Sequence, residues 1–322
     1  MAVIVTGAAG FIGMHVAERL VERGEEVIGI DSFNPYYDVA LKEARAERLQ
    51  AHRGFSMQRM DIADAEAVKL LFDRVKPSGV VHLAAQAGVR YSIENPFAYE
   101  RSNLAGHLAI LEACRDLASL RHLVYASSSS VYGDRPSSGA GFKETDATDA
   151  PVSLYAATKR GCELMSQCYA ALYPLPQSGL RFFTVYGPWG RPDMAYYSFT
   201  RAISEGLPID VYGEGRLARD FTYIDDIAEG VVAVLDRPAA PGEHRLLNIG
   251  ASRPVGLMDM ISTLERALGR EAIKDMKPMQ PGDVTHTYAD VSALRELTGY
   301  SPSTSLEEGI DRFVHWYRSF HS

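Results

Sequence analysis

The sequence predicts an α/β fold: a doubly wound parallel sheet with a smaller α/β lobe at its C-terminal end. Three observations carry that expectation. Short apolar runs alternate with amphipathic stretches through the first half of the chain, as strands alternating with covering helices require. A glycine-rich turn follows the first apolar run directly. Beyond about residue 180 the alternation lapses, and proline and glycine become frequent in "YGPWGRPD", "EGLPIDVYGEGR" and "MQPGDV".

Taken in order, strands are expected at 2–7 ("AVIVTG"), 26–31 ("EVIGID"), 55–62 ("FSMQRMDI"), 79–85 ("GVVHLAA"), 122–127 ("HLVYAS") and 179–187 ("GLRFFTVYG"). The first helix, "FIGMHVAERLVERG", places Ile12, Val16 and Leu20 on one face and Gly24 at its C-terminus. Two lobes follow, 1–180 and 181–322, with helices expected to be fewer and shorter in the second. Segments near 220–250, among them "DDIAEGVVAVLD", are expected to pack back on the first lobe.

Composition narrows the class. A chain of 322 residues with 46% hydrophobic residues can bury a sizeable core. A formal net charge of -8 argues against a nucleic-acid partner, so an anionic ligand must be drawn in by local arginines. The three cysteines, Cys114, Cys162 and Cys168, suit neither a disulfide framework nor a zinc site, because Cys162 and Cys168 lie six apart on a helical pattern. No apolar run approaches the ~18 residues of a membrane span. The chain opens on a strand, which leaves no room for a signal peptide, and a cytoplasmic protein with no membrane partner and no metal is expected.

Within "TGAAGFIG", Gly7, Gly10 and Gly13 fall between the first strand and the first helix, where Phe11 and Ile12 open the helix. Glycines let the backbone approach a pyrophosphate, whose charge rests on the amides of the helix N-terminus. Glycines also close ordinary turns. What favours a Rossmann dinucleotide site is the order strand, loop, helix and acid, with Asp31 ending the second strand 18 residues after Gly13. A carboxylate there accepts both ribose hydroxyls and repels a 2′-phosphate, so NAD is expected rather than NADP. Asp61 and Ile62 after the third strand, and Leu83, Ala84 and Ala85 after the fourth, would then border the adenine and ribose; His82 reads equally as a satisfied core residue.

"LYAATKRGCELMSQCYAALY" puts Tyr155 and Lys159 four apart on one helical face. A phenol is a poor base at neutral pH until nearby positive charge stabilises the phenolate, which Lys159 and a nicotinamide ring can supply. A serine at the end of the fifth strand, in "YASSSSVYG", would orient the hydroxyl being oxidised.

Together, Gly7/Gly10/Gly13, the set Ser128, Tyr155 and Lys159, and "RDFTYIDDI" resemble the extended short-chain dehydrogenases/reductases that act on nucleotide sugars. Within them, "DSFNPYYDVALKEAR", "HLAAQAGVRYSIENPFAYERSN", "YASSSSVYG", "PVSLYAATK" and "LRFFTVYGPWGRPDMA" are similar to the UDP-glucuronate 4-epimerase family. The resemblance implies oxidation of the sugar at carbon 4 by tightly held NAD, rotation of the 4-keto sugar and reduction on the opposite face. The product would be UDP-galacturonate. It implies a first lobe that binds NAD and a second that binds the nucleotide sugar.

The same resemblance assigns roles. Ser128, Tyr155 and Lys159 become catalytic. The 4-keto intermediate is a β-keto acid, which loses CO2 unless its carboxylate is restrained. Ser129, Ser130, Thr184 and Arg191 become the donors that hold it, each charge-assisted bond being worth roughly 1.5–3 kcal/mol; for Ser129 and Ser130 a serine-rich turn is the alternative. Arg219 resembles a diphosphate contact and Asp283 a uridine-ribose acceptor, while Gln280 stands where some relatives carry arginine. Arg90 could meet the diphosphate, the carboxylate or only solvent. A homodimer through the Tyr155 helix and the helix of "LAGHLAILEAC" is implied.

Related dehydratases and decarboxylases place Asp or Glu just before "VYG"; here those positions are Ser129 and Ser130. Related galactose epimerases tend to have Asn at the position of Thr184 and to lack the "PWGR" arginine. The competing expectations are another UDP-sugar 4-epimerase or a UDP-glucuronate decarboxylase and, in a different class, an NAD-binding sensor on the same fold.

Overall fold

In the computed structural model, which describes residues 2–134, 141–279 and 286–321, strands and helices alternate from the start. β1 (Ala2–Thr6) leads through the glycine loop into α1 (Phe11–Glu22). Then come β2 (Glu26–Asp31), α2 (Val39–Gln50), β3 (Phe55–Arg59), α3 (Ala65–Val75) and β4 (Gly79–His82). Two single-turn helices, α4 (Tyr91–Glu94) and α5 (Pro96–Tyr99), run through a π-helical stretch, Glu100–Ala105, into α6 (Gly106–Arg115). β5 (His122–Ser128) ends in a 3₁₀ turn, Ser129–Tyr132, and α7 (Leu154–Leu172) leads to β6 (Gln177–Phe182) and β7 (Thr184–Tyr186). The remainder comprises α8 (Ala195–Glu205), β8 (Pro208–Tyr212), β9 (Ala218–Tyr223), α9 (Ile224–Leu235), β10 (His244–Ile249) and β11 (Pro254–Gly256). Last come α10 (Leu257–Leu268), β12 (Ile273–Lys277), β13 (His286–Thr287), α11 (Ser292–Thr298) and α12 (Leu306–Phe320).

Seven parallel strands form the main sheet in the order β10-β6-β5-β4-β1-β2-β3. Side chains alternate across it: Val3 and Val5 of β1 enter one apolar cluster, while Ile4 enters the other. Both faces are covered, which is why β1, β2 and β4 read as continuous apolar runs. β3, at the edge, is only half-buried. The strand order reverses between β1 and β4, and in such sheets the crevice beyond the strand ends at this switch point is where ligands bind. Gly24 adopts a φ of +91° after α1, as the helix-end pattern requires.

Several expectations are corrected. The apolar run 179–187 is two strands: Phe183 N–H closes the main-sheet ladder on Ile249 O at 3.1 Å, after which β7 pairs with β9 in another sheet. The expected strands 55–62 and 79–85 stop at Arg59 and His82, because the chain beyond leaves the ladder to border the crevice. Nor are helices scarce beyond residue 180, where α8 to α12 lie. From 220–250, β10 joins the main sheet beside β6, and α9 packs on α1 with Arg19 and Glu229 3.2 Å apart at the rim.

The second lobe holds a four-stranded sheet, β11-β9-β13 with β7 on β9, and a β12-β8 ladder. α10 lies between α8 and α12. One apolar cluster runs from Val5 of the main sheet to Phe313 of α12, so the two lobes share a core. Among the described residues no helix is long and apolar enough to cross a membrane.

Candidate active site

The crevice opens into a cavity of about 420 Å³. Its floor is built by backbone that only glycine permits. Gly7 has a φ of +72°, and a Cβ on it would lie 2.8 Å from Ala84 N. A Cβ on Gly13 would lie 2.0 Å from Gly7 O, so the loop and the first turn of α1 close on each other. Gly10 precedes α1 without any side-chain cap, which leaves the first helical amides, Phe11 and Ile12 among them, available to an anion. Asp31 is buried at the end of β2; its Oδ2 accepts from Ala9 N–H at 3.1 Å and its Oδ1 from Phe33 N–H at 2.8 Å. Each carboxylate oxygen retains a second lone pair for a ribose diol. Uncapped amides, a glycine floor and a buried carboxylate fit a dinucleotide.

The expected cofactor residues all line this cavity: the loop glycines with Phe11 and Ile12, Asp31, Asp61 and Ile62, and Leu83 to Ala85. Asp61 also pairs with Arg101 at 2.8 Å. His82 is a buried core residue whose Nδ1 lies 2.7 Å from Thr6 Oγ1; burial first, then the nearby His107 and Lys159, hold its pKa well below the usual value.

Tyr155 and Lys159 of α7 face the same cavity. Ser153 caps that helix by accepting from Ala156 N–H at 3.1 Å. Lys159 is buried and donates through Nζ to Ala126 O at 2.9 Å, which fixes its charge at the end of β5. Tyr155 presents its ring edge-on to Tyr99, with centroids 6.1 Å apart. Asn103, inside the π-helical stretch, donates to Gln86 O and to Thr158 Oγ1, tying the loop after β4 to α7.

The four serines do not act alike. Ser127 Oγ donates to Glu163 Oε1 at 2.6 Å and belongs to a buried network with Arg181. Ser128 Oγ donates to Ser130 Oγ at 3.1 Å and accepts from Ser130 N–H at 3.2 Å, so the 3₁₀ turn gathers these hydroxyls at the cavity wall. Ser129 and Thr184 line the cavity too.

Arg191 reaches the cavity from the loop after β7. Its Nε and Nη2 donate to the two carboxylate oxygens of Asp193 at 3.0 and 2.6 Å, and Tyr36 OH donates to Asp193 at 3.1 Å. Burial alone would push the Asp193 carboxyl up, but the Arg191 charge and hydrogen bonds outweigh it and hold it below the usual carboxylate range. Asp193 occupies the Nε edge of the guanidinium, and the opposite edge retains N–H donors for a second anion.

Arg90 and Arg219 are not brought to this cavity. The Arg90 guanidinium lies over the Tyr212 ring at 5.2 Å, and Arg219 Nη1 donates to Ala218 O at 2.9 Å. Asp283 and Gln280 lie outside the described residues. Tyr36, Lys42, Asn103 and Asp193 carried no role in the sequence reading. Lys42 lines the cavity and donates to Asn34 O and Oδ1 at 2.8 and 2.6 Å; the signal that could have found it was "NPYYDVALK", directly after Asp31.

Comparisons with known proteins agree with this geometry. A sequence model of the NAD dependent epimerase/dehydratase family matches residues 3–250. The chain is 48% identical over 333 residues to the probable UDP-glucuronate 4-epimerase of Rhizobium meliloti, covering 98% of this chain and 97% of that one. The structure of UDP-glucuronic acid 4-epimerase from Bacillus cereus, in complex with UDP-glucuronic acid and NAD, superposes with a TM-score of 0.92 at 35% identity, covering 99% of this chain and 100% of that one. The UDP-glucose 4-epimerase of Thermotoga maritima, solved with UDP-glucose, has a TM-score of 0.90 at 28% identity and full coverage of both chains, 100% and 100%.

Proposed function

The chain belongs to the NAD dependent epimerase/dehydratase family, and on that premise we infer that it inverts carbon 4 of UDP-glucuronate to give UDP-galacturonate, with NAD as cofactor and without loss of the carboxylate. The observation that carries this is a single cavity lined both by the glycine floor with Asp31 and by Tyr155, Lys159, Arg191 and Ser128 to Ser130.

Bound NAD supplies the oxidising and reducing equivalents at carbon 4. In our reading Tyr155 takes the proton of the carbon-4 hydroxyl and returns it to the ketone oxygen after the sugar turns. The Lys159 ammonium, anchored on Ala126 O, places a positive charge at the cavity wall one helical turn from Tyr155. Ser128 orients the reacting hydroxyl. Ser129, Ser130, Thr184 and the free edge of Arg191 hold the sugar carboxylate, so that its bond to carbon 5 does not align with the ketone. Neither Ser129 nor Ser130 can move a proton at carbon 5 as a carboxylic acid would, which supports epimerisation over elimination.

We assign 1–180, together with the segments near 220–250 that pack back on it, to NAD and the rest of 181–322 to the nucleotide sugar, with Arg219 and Asp283 on its UDP half and Arg90 over the Tyr212 ring. A homodimer through α6 and α7 is supported by Leu108, Leu164 and Leu172, which expose apolar surface there; light scattering that finds only monomer at all concentrations would refute it. Cys114, Cys162 and Cys168 are unpaired, which suits a cytoplasmic setting.

The test starts from both sides. Purified protein given UDP-glucuronate, or separately UDP-galacturonate, is expected to reach the same mixture of the two by proton NMR. Spectra that stay unchanged from either side would sink the reading.

A further inference from the structure

Arg45 lies within α2 in the charged run "LKEARAERLQ", yet its side chain is wholly buried. Arginine is almost never buried unless paired. No carboxylate pairs with it among the described residues; three main-chain carbonyls and a phenol receive its donors instead. Nε and Nη2 reach Trp189 O at 3.0 and 2.6 Å, and Nη2 also reaches Gly190 O at 3.1 Å. Nη1 reaches Ala9 O at 3.0 Å and Tyr37 OH at 2.5 Å. The carbonyl just before these, Pro188 O, lies 3.1 Å from His15 Nε2.

The first lobe therefore grips three consecutive carbonyls of the segment that ends in Arg191. That segment is not relaxed. Trp189 has a φ of +61°, a left-handed conformation that bulky residues seldom adopt and keep only where the surroundings over-determine it. Trp316 and Phe320 of α12 pack on its ring with centroids at 5.4 and 5.2 Å, but ring packing does not fix the direction of the carbonyls. The Arg45 fork does.

We propose that Arg45 is a positioning residue: by holding the Trp189 and Gly190 carbonyls to the glycine loop it sets the aim of Arg191, and so selects a sugar that carries a carboxylate. Arg45 does not line the cavity and acts only through that segment. The proposal rests on Arg191 being the carboxylate ligand.

Arg45→Lys keeps the charge, but one ammonium cannot reach Ala9, Trp189 and Gly190 together. Calorimetry should show UDP bound within about 2-fold of wild type while UDP-glucuronate weakens by ~10-fold or more, since a displacement of the order of 1 Å far from the chemistry can cost that much. The product ratio should move from UDP-galacturonate toward UDP-4-keto-pentose, with one CO2 released and one hydride left on the cofactor as NADH for each sugar diverted. Arg191→Ala is the reference and should shift the same ratio further. If Arg191→Ala leaves the ratio unchanged, the carboxylate ligand is misassigned and the proposal falls with it. If Arg191→Ala shifts the ratio and Arg45→Lys shifts neither ratio nor binding, only the role of Arg45 is overturned. Parallel weakening of UDP and UDP-glucuronate would also overturn it, as general damage to the site. Should Arg45→Lys not fold, Arg45→Gln leaves no charge in the core and is read against the same outcomes.

Discussion

Tyr155, Lys159 and Ser128 are held in different ways. Lys159 is buried and anchored on a carbonyl, Ser128 is bridged to Ser130, and Tyr155 is half-buried against the edge of Tyr99. Tyr155→Phe keeps the ring contact and removes only the oxygen that carries the proton. Turnover followed by NMR should fall ~10²-fold or more while UDP binding persists, the usual scale of a lost acid–base group. Near-normal turnover in that variant would take Tyr155 out of the mechanism. The same scale explains why the serine run was only partly legible. A strand-end position was readable, but which hydroxyl turns inward to Glu163 and which faces the cavity depends on the pleat at the end of β5.

At the scale of elements, a buried ion pair helps fasten α7 to the main sheet. Arg181 of β6 forks onto Glu163 at 2.8 and 2.9 Å, and Ser127 of β5 donates to the same carboxylate. Burial would push the Glu163 carboxyl up, but the Arg181 hydrogen bonds and charge bring it below its ordinary value. A depressed folded value means the pair stabilises fully above the ordinary carboxylate range and loses that contribution as pH falls through the depressed value. Glu163→Gln leaves Arg181 buried without its counter-charge and should cost about 3 kcal/mol in urea unfolding at pH 7, with a smaller gap in acid. A loss within about 0.5 kcal/mol, typical of a surface site, would contradict this. Neither Glu163 nor Arg45 was legible, because a charged residue in an amphipathic helical pattern reads as solvated until the packing is known. The opposite held for "AVIVTG", the glycine loop and Asp31, where period and turn chemistry act over a few adjacent residues. The break at Phe183 and the return of β10 to the main sheet depend on pairing between distant segments, which an apolar run does not encode.

For the whole molecule, the core buries several histidines at which burial favours the neutral ring. Burial lowers His107 to about 3 and His122 to about 4, and holds His82 well below its usual value. Their folded values lie below the unfolded 6.5, so their contribution is complete above that pH and is lost as pH falls toward 4. Each such group adds about 1.4 kcal/mol per pH unit in that window, so the unfolding free energy at pH 5 should lie ~3 kcal/mol or more below that at pH 7. Equal values at the two pH settings would contradict neutral burial. The most direct test of the central claim, inversion at carbon 4 with the carboxylate retained, uses UDP-glucuronate labelled with carbon-13 in its carboxyl group. The label should appear in the carboxyl of UDP-galacturonate, with none released as bicarbonate. Label released as bicarbonate, or a sugar whose carbon 4 never inverts, would contradict it.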